Sequence, residues 1–377
     1  MILSSIKNIF KNIDWILFVS VILIACAGLV TMNSFVGQSK FFGKQLIWLS
    51  ISTCVFFIAS GIDWRFLKDT KIVVILFGLS VGVLSLLFVL GSVFKGAQSW
   101  FDFGKFSFQP ADPIKLVVIL ILAKYFSRRH IEIAHIRHIL VSGFYVFVIF
   151  LLIFLQPDFG SAIIIFFLWL GMVLVSGISK KHLLLVFFIG ALTFGGLWMF
   201  VFKPYQKDRI KIFLNPLTDV RGTGYNAYQS TIAVGSGQFF GKGIGYGTQS
   251  KLQFLPEYQT DFIFAAFAEE WGFAGVILLF ILYGIIFWRI LRISSHGGTN
   301  FEILFGLGLA ILFFIHLAVH VGMNISLLPV TGNTIPFMSY GGSHLLTEFF
   351  GLGILMGMKR YSRVVHKDVA YNEIIGV

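Results

Sequence analysis

Charged side chains are rare in this chain, and several of them stand where an apolar run begins. The segment LPEYQTDFIF places Glu257 and Asp261 four residues apart, directly ahead of such a run. A second segment, QPADPIK, places Asp112 and Lys115 in the same way. A carboxylate can take the proton of a reacting hydroxyl, and a lysine in apolar surroundings needs an anionic partner. These residues are therefore the first candidates for a functional site.

The elements that position these residues must lie in a membrane. The chain has 377 residues, of which 57% are hydrophobic and only 12% are charged, and its mean hydropathy is +0.88. Soluble proteins contain about 25% charged residues, so lipid must be the solvent for most of this chain. Unbroken apolar runs such as Ile72–Leu90 exclude a β-barrel, whose strands alternate in polarity. We predict an all-α integral membrane protein with about ten transmembrane helices.

The predicted helices follow the apolar runs of the sequence. They cover Trp15–Met32, Gln45–Ile62, Ile72–Gly91, Pro113–Phe126, His138–Leu155, Phe159–Gly177, His182–Phe202, Phe262–Ile293, Glu302–Leu328 and His344–Tyr361. A helix that starts at Pro256 and ends at Ile293 is longer than a bilayer is thick, so we expect a break within EEWGFAG, residues 269–275. Cys26 and Cys54 fall inside predicted helices, and we expect them to be small buried residues without a disulfide or a metal.

The distribution of Lys and Arg predicts the orientation of the helices. Basic residues cluster in alternate short loops and in the C-terminal tail, and the opposite short loops hold few of them. By the positive-inside rule both termini are cytoplasmic, and the long loop 203–261 is extracytoplasmic. We expect residues 1–377 to form one polytopic domain that includes this loop, with the first helix as a signal anchor. Because the net charge of +12 follows this loop pattern, no nucleic-acid partner is expected.

Each candidate residue also has a structural explanation. Asp112 before a proline is typical of a helix N-cap, and Lys115 could extend its ammonium group to the nearby membrane interface. Asp158, in QPDFGSA, is either the cap of the next helix or a buried carboxylate that faces Lys115. Trp100 could be an interfacial aromatic residue, and Glu257 could stabilise the positive end of the helix that follows. The residues alone do not decide between these alternatives.

Two further patterns resemble known sites but do not match them fully. The glycine-rich segment GSGQFFGKGIGYG has three residues where a phosphate-binding P-loop has four, and a glycine follows its lysine. We therefore expect these glycines to form turns in a packed loop. His316 and His320 have zinc-like i, i+4 spacing, but no third ligand is identifiable. We expect these two histidines to have a structural role or to form hydrogen bonds between helices instead.

Several of these segments together resemble a known family. GAQSW, FGKFSFQPADPIK, QPDFGSA, FLPEYQTDFIFAAFAEEWGF and NISLLPVTGNTIPFMSYGGS are similar, in this order, to motifs of the SEDS family (shape, elongation, division and sporulation). The GKG, GTQS and FLPE segments resemble its RodA members more than its FtsW members. The resemblance implies a peptidoglycan glycosyltransferase that polymerises lipid II at the outer face of the bacterial cytoplasmic membrane, for cell elongation and shape. It also implies a class B penicillin-binding protein as partner, and no organic cofactor.

The resemblance implies roles for individual residues. Asp261 corresponds to the presumed catalytic carboxylate of the family, and we expect it to act as general base on an attacking sugar hydroxyl. The residues expected to bind substrate are Trp100, Asp112, Lys115, Asp158, Arg209 and Glu257. Among these, Lys115 and Arg209 are the candidates for holding the diphosphate of the leaving group. A divalent cation between carboxylates and diphosphate stays open, because no ligand set is identifiable.

Four positions differ from the usual motifs of the family. Ala111 stands where the family usually has Ser, and Pro113 is an addition. Asp112 stands where the family usually has Glu and is one methylene shorter, and His344 stands where the family often has a small residue. Two other functions also stay open: a flippase or transporter for the same lipid, and a non-catalytic scaffold for a penicillin-binding protein. The candidate acids and bases cluster at one face of the membrane, which favours chemistry on that face over transport across the bilayer.

Overall fold

The protein is a bundle of long helices, described by a computed structural model for residues 10–34, 39–94, 97–104, 106–127, 136–200, 207–208, 211, 213, 223–252, 254–255 and 257–375. In chain order the helices are α1 Trp15–Asn33, α2 Ser39–Gly61, α3 Thr70–Leu90, α4 Ala111–Ser127, α5 Ile136–Leu155, α6 Phe159–Val175, α7 Lys180–Phe200, α8 Thr223–Ser236, α9 Thr248–Lys251, α10 Ile263–Ser295, α11 Asn300–Asn324 and α12 Gly342–Ile375. A short 3₁₀ helix, Trp64–Lys68, connects α2 with α3. Each predicted transmembrane helix overlaps one of these long helices.

Within the described part of the chain, seven helices are long and apolar enough to cross a membrane. They are α1, α2, α3, α5, α7, α10 and α11. The helix α6 is apolar but shorter, and α4 and α12 contain charged residues along their length. The prediction of an all-α, multi-pass membrane protein is therefore confirmed. The orientation of the bundle and its division into one domain with a large outer loop remain predictions.

The centre of the bundle is formed by α4 and α11. The helix α4 packs against α3, α11 and α12, and α11 packs against α6 and α10 as well. Small residues allow the close approaches: a Cβ atom on Gly308 of α11 would lie 2.6 Å from Ile119 of α4. The same holds between α12 and α2, where a Cβ on Gly353 would lie 2.6 Å from Ala59. Small residues at helix contacts are typical of packing in lipid, where van der Waals contact replaces the hydrophobic effect between helices.

The helix α10 breaks where the sequence predicts. Gly272 has φ 65° and ψ −169°, a conformation that only glycine adopts readily. The glycine-rich segment 237–245 packs on this break, and the amide of Phe273 donates to the carbonyl of Gln238 at 2.8 Å. A Cβ atom on Gly241 would lie only 2.1 Å from the carbonyl oxygen of Glu270. The glycines therefore serve turns and close backbone contact, as expected for a packed loop.

Two acids inside the apolar run of α10, Glu269 and Glu270, hold the preceding loop against the helix. The buried carboxylate of Glu269 accepts hydrogen bonds from Lys242 Nζ at 2.8 Å and from the amide of Gln249 at 3.0 Å. The buried carboxylate of Glu270 accepts hydrogen bonds from Ser34 Oγ at 2.6 Å and from the amide of Gly245 at 3.0 Å. Buried carboxylates need such partners, since an unpaired charge at this depth is costly. These acids thus hold the loop on the helix break and are not part of the cavity described below.

Two features of the fold differ from the sequence-based expectations. Cys26 and Cys54 are free thiols, as expected, but both are exposed on the outside of their helices instead of buried. An apolar thiol on a lipid-facing surface loses nothing by exposure, so apolarity alone does not indicate burial in a membrane protein. The second feature is a small antiparallel sheet between α3 and α4, with β1 Ser92–Phe94, β2 Ala97–Asp102 and β3 Ser107–Phe108. This sheet was not predicted.

Candidate active site

A cavity of about 740 Å³ lies at the end of the bundle where α4, α6 and α12 begin. Its walls come from the small sheet, from the starts of these three helices, from the turn before α10 and from the segment 331–341 between α11 and α12. Among the residues lining the cavity are Trp100, Asp112, Lys115, Asp158, Glu257 and Asp261. These are all of the predicted site residues except Arg209, which lies outside the described residues. Segments that are far apart in sequence thus meet at one cavity.

Lys115 and Asp112 form a buried ion pair in the wall of this cavity. Lys115 Nζ lies 3.0 Å from Asp112 Oδ1, and the two side chains are 4% and 3% exposed. The helix α4 begins at Ala111, so Asp112 lies in its first turn, and its other oxygen accepts a hydrogen bond from Ser343 Oγ at 2.7 Å. The expectation that Asp112 is an N-cap is therefore wrong. Extension of Lys115 to the membrane interface is also wrong, because its ammonium group is buried against a carboxylate.

Asp158 is the N-cap of α6. Its Oδ1 accepts a hydrogen bond from the amide of Ser161 at 3.0 Å, and its Oδ2 accepts one from Gln109 Nε2 at 2.8 Å. Of the two alternatives from the sequence, the cap is correct. Among the described residues the ion pair of Lys115 is with Asp112, so direct pairing of Lys115 with Asp158 is wrong. The half-buried Asp158 carboxylate still faces the cavity.

Asp261 lies in a turn that precedes α10. The helix begins at Ile263, later than the expected start at Pro256, which lies outside the described residues. Glu257 has φ 50°, in the left-handed region, and its carbonyl accepts a hydrogen bond from the amide of Asp261 at 3.1 Å. A non-glycine residue in this conformation is strained and must be held by its surroundings. Glu257 and Asp261 are therefore fixed on a tight turn and do not share a helix face.

Hydrogen bonds from two neighbouring elements fix this turn. The buried side chain of Asn324, at the end of α11, donates to the carbonyl of Asp261 at 3.0 Å. Ser339 Oγ, from the segment 331–341, donates to the carbonyl of Thr260 at 2.9 Å. The backbone that presents the Asp261 carboxylate is thus tied to the centre of the bundle. Such support is required of a group that must act on a substrate atom with defined geometry.

The segment 331–341 is in turn held by α11. His316 Nδ1 lies 3.2 Å from the carbonyl oxygen of Thr334, and His320 Nδ1 lies 2.7 Å from that of Asn333. The two histidines therefore have a structural, hydrogen-bonding role as expected, but their partners lie on this segment and not on another helix. Among the described residues there is no group of three or more His, Cys, Asp or Glu side chains placed to hold a metal ion. The question of a divalent cation is therefore not answered by a ligand set.

Residues that the sequence did not single out for the site also line the cavity. They include Lys44, Gln109, His316, Asn333, Ser343 and His344. His344 Nδ1 lies 3.3 Å from Asp112 Oδ1, so two of the positions that differ from the family motifs are in contact. These residues are 232 positions apart, and no local pattern predicts such a contact. Burial raises the pKa of the Tyr340 hydroxyl, which also lines the cavity, so it stays a neutral hydrogen-bonding group.

One side of the cavity is formed by α2 and is apolar. Ile47 and Ile51 line the cavity, and their side chains are 61% and 41% exposed on the surface of the bundle. Lys44, one turn before Trp48 on the same helix, places an exposed cation at this side. Exposed isoleucines on a membrane helix are expected to face lipid. A lipid tail can therefore reach the cavity from the side, with a cation beside its headgroup.

Comparison with known proteins gives a consistent result. A family model named FTSW_RODA_SPOVE, described as cell cycle protein, matches residues 7–364. Stage V sporulation protein E of Bacillus subtilis (strain 168) is 35% identical to the chain over 353 residues, which is 92% of this chain and 95% of that protein. The peptidoglycan glycosyltransferase MrdB of Escherichia coli (strain K12) is 37% identical over 279 residues, covering 74% and 75% of the two chains.

Solved structures agree with these sequence relatives. A chain from a peptidoglycan synthase complex, described as coordinating polymerization and crosslinking, superposes with a TM-score of 0.79 at 30% identity, covering 93% of this chain and 98% of that one. The rod shape determining protein RodA of Thermus thermophilus superposes with a TM-score of 0.69 at 28% identity, covering 92% and 96%. The similarity extends over nearly the full length of both solved chains.

Proposed function

Because this chain belongs to the FtsW, RodA and SpoVE family, which is the SEDS family, we propose that it polymerises lipid II into glycan strands at the cavity described above. It is a multi-pass protein of the bacterial cytoplasmic membrane and a peptidoglycan glycosyltransferase. The observation that supports the cavity as its active site is the convergence of Asp261 and Lys115 on one space with an apolar side. A role in cell elongation and shape follows from the resemblance to the RodA members.

The reaction sets three physical requirements. A sugar hydroxyl attacks an anomeric carbon, a new glycosidic C–O bond forms, and the bond from that carbon to the polyprenyl diphosphate breaks. A base must take the proton of the hydroxyl, a cation must stabilise the departing diphosphate, and the lipid tails must reach the site from the bilayer. The cavity offers a carboxylate, two lysines and an apolar side.

Asp261 is the proposed general base. Its backbone is fixed by Asn324 and by the turn from Glu257, and its carboxylate lies beside Gly332, where an added Cβ would be 3.6 Å from Oδ2. The small residue at this position leaves room for a substrate hydroxyl to approach. A positioned base of this kind contributes about 10²- to 10⁴-fold to the rate. Glu257 and Trp100 line the same cavity and are proposed to bind the sugar moieties.

Lys115 and Lys44 are the proposed cations for the diphosphate. Lys115 is buried and already paired with Asp112, so its position is fixed before the substrate binds. Lys44 is exposed at the apolar side, where a lipid headgroup would enter. Charge that is preorganised in a cavity of low polarity stabilises a developing anion without a large reorganisation cost. Arg209 is retained as a further candidate on the strength of the sequence alone.

We also propose a partner and a domain organisation. One structural neighbour is part of a peptidoglycan synthase complex for polymerization and crosslinking, which supports a class B penicillin-binding protein as the partner of this chain. Residues 1–377 are proposed to form one membrane domain, with 203–261 as an extracytoplasmic segment. The proposed activity needs no organic cofactor, since acid–base chemistry and charge stabilisation are sufficient for the glycosyl transfer.

The direct test is reconstitution of the purified chain in liposomes that contain lipid II. Glycan polymer and movement of lipid II between leaflets are measured separately in the same preparation. We expect polymer from the chain alone, at a rate that rises when a class B penicillin-binding protein is added. Movement of lipid II without polymer would replace the proposal with a transporter. If the preparation with the penicillin-binding protein makes polymer at the same rate when this chain is replaced by an inactive variant, the chain is a scaffold and not the polymerase.

A further inference from the structure

Four ionisable side chains form a buried cluster at the wall of the cavity, and three of them, Asp112, Lys115 and His344, line it. They are Asp112 and Lys115 of α4 and His344 and Glu348 of α12. Each of these residues is at most 9% exposed. Asp112 Oδ1 lies 3.0 Å from Lys115 Nζ and 3.3 Å from His344 Nδ1, and Glu348 Oε1 lies 3.0 Å from His344 Nε2. The imidazole therefore lies between two carboxylates.

This arrangement determines the charge of the His344 ring. A neutral imidazole carries one N–H donor, and its other nitrogen is an acceptor. Each ring nitrogen lies within 3.3 Å of a carboxylate oxygen, although only the contact of Nδ1 with Asp112 has the geometry of a hydrogen bond. A neutral ring would leave one unprotonated nitrogen close to an anionic oxygen in buried surroundings, where such repulsion is poorly screened. The doubly protonated ring is attracted to both carboxylates.

The balance of charge in the cluster supports the same conclusion. Asp112 and Glu348 bring two negative charges, and Lys115 brings one positive charge. Buried charges are stable only when they are compensated, so the cluster needs a second cation. The other titratable groups that face it are His316 and His320 of α11 and Tyr283 of α10. The His316 ring lies against the His344 ring at an interplanar angle of 46°, with centroids 4.8 Å apart, but its Nδ1 is directed to the carbonyl of Thr334 and not to a carboxylate.

We propose that His344 is a positioning residue that is held as an imidazolium between Asp112 and Glu348. The cation neutralises the second carboxylate and keeps Asp112 aligned on Lys115, which leaves the Lys115 ammonium directed toward the cavity. The proposal rests on the proposed function, because Lys115 is the group expected to hold the diphosphate. It goes beyond that function by placing a second, buried positive charge behind the binding lysine. His344 itself does not act on the reacting atoms.

A spectroscopic experiment tests the charge of the ring without any assay of activity. The protein is labelled with ¹⁵N-histidine, reconstituted in lipid, and measured by solid-state NMR at neutral pH. The signals of His344 are identified by their absence in His344→Gln. We expect both ring nitrogens of His344 to be protonated, with contacts to carboxylate carbons. A ring with one protonated nitrogen overturns the proposal, whatever the protein does with lipid II.

A kinetic experiment tests the positioning role. His344→Gln keeps a side chain of similar reach but removes the charge, and we expect kcat for lipid II polymerisation to fall by about 100-fold through misplacement of Lys115. The double variant His344→Gln/Glu348→Gln removes one negative charge as well and restores the balance. We expect its kcat to return to within about tenfold of the wild-type value. The matched control is His296→Gln, in the exposed turn after α10.

Each possible result of these experiments leads to a different conclusion. An unchanged kcat for His344→Gln, or a double variant that is no faster than the single variant, overturns the positioning role. Thermal unfolding of each variant shows whether a loss of rate comes from loss of fold, and in that case the NMR result decides. If the wild-type protein makes no polymer at all, the proposed function fails, while the protonation state of His344 is still measured.

Discussion

Replacement of Lys115 by methionine should cost stability as well as activity, and the two losses can be separated. Methionine retains the length and apolar stem of lysine but removes the charge. In Lys115→Met the carboxylate of Asp112 stays buried at 2% exposure without its ammonium partner. Removal of one partner from a buried ion pair typically costs about 3–5 kcal/mol, because the remaining charge is not compensated.

The surroundings of Asp112 place the expected loss toward the lower end of this range. Its carboxylate retains the hydrogen bond from Ser343 at 2.7 Å and the contact with His344 at 3.3 Å. We therefore expect Lys115→Met to lose about 3 kcal/mol of unfolding free energy. The double variant Asp112→Asn/Lys115→Met removes both charges and leaves the pair of His344 and Glu348. It should recover most of the lost stability.

The free energy of unfolding is measured by reversible unfolding in mixed detergent micelles. The rate of lipid II polymerisation is measured on folded portions of the same preparations. Both variants should be inactive, since both lack the cation proposed for the diphosphate. A single variant that is as stable as the wild-type protein would refute the buried ion pair. A double variant that is stable and polymerises lipid II at the wild-type rate would refute the role of Lys115 in substrate binding.

Two further predictions concern other parts of the structure. Lys44→Gln should raise KM for lipid II about 1.4- to 5-fold with little change in kcat, because an exposed charge pair is worth only about 0.2–1 kcal/mol. Lys71→Gln, in the first turn of α3 and away from the cavity, is the matched control. Equal effects of the two substitutions would exclude a local role for Lys44. Gly241→Ala should lower the free energy of unfolding by more than about 1 kcal/mol, since Gly241 has φ +79° and an added Cβ would lie 2.1 Å from the Glu270 carbonyl oxygen. Gly235→Ala is the control, because an added Cβ there meets nothing within 4 Å. Its unfolding free energy should be unchanged or higher by about 0.5–1 kcal/mol.

The long-range features of the sequence predict much of the fold. Apolar runs of sufficient length can be satisfied in lipid only by helices, so the long helices follow from composition alone. The break at Gly272 follows from length, because the run into α10 exceeds the thickness of a bilayer. The small sheet of β1, β2 and β3 was missed because strands of two to six residues have too few positions for a period to be recognised.

The candidate site, like the fold, is predictable from the sequence only in part. Charged residues in an apolar chain are conspicuous, and five of those predicted for the site meet at the cavity together with Trp100. Their partners could not be predicted, since these contacts join segments that only the packing of α4 on α12 brings together. Asp112 illustrates the difference: local sequence favours a helix cap, but the tertiary contacts with Lys115, Ser343 and His344 determine its role. In the same way, the sequence did not predict that the Asp158 carboxylate accepts a hydrogen bond from Gln109.

The central claim is that the Asp261 carboxylate is the general base of glycan polymerisation. The most direct measurement is the rate of lipid II polymerisation by purified Asp261→Asn, with Asp102→Asn as the control, since Asp102 is exposed on β2 near the same end of the bundle. We expect Asp261→Asn to fold normally and to lose about 10²- to 10⁴-fold in rate, with the control unchanged. A folded Asp261→Asn that makes polymer at the wild-type rate would contradict the account.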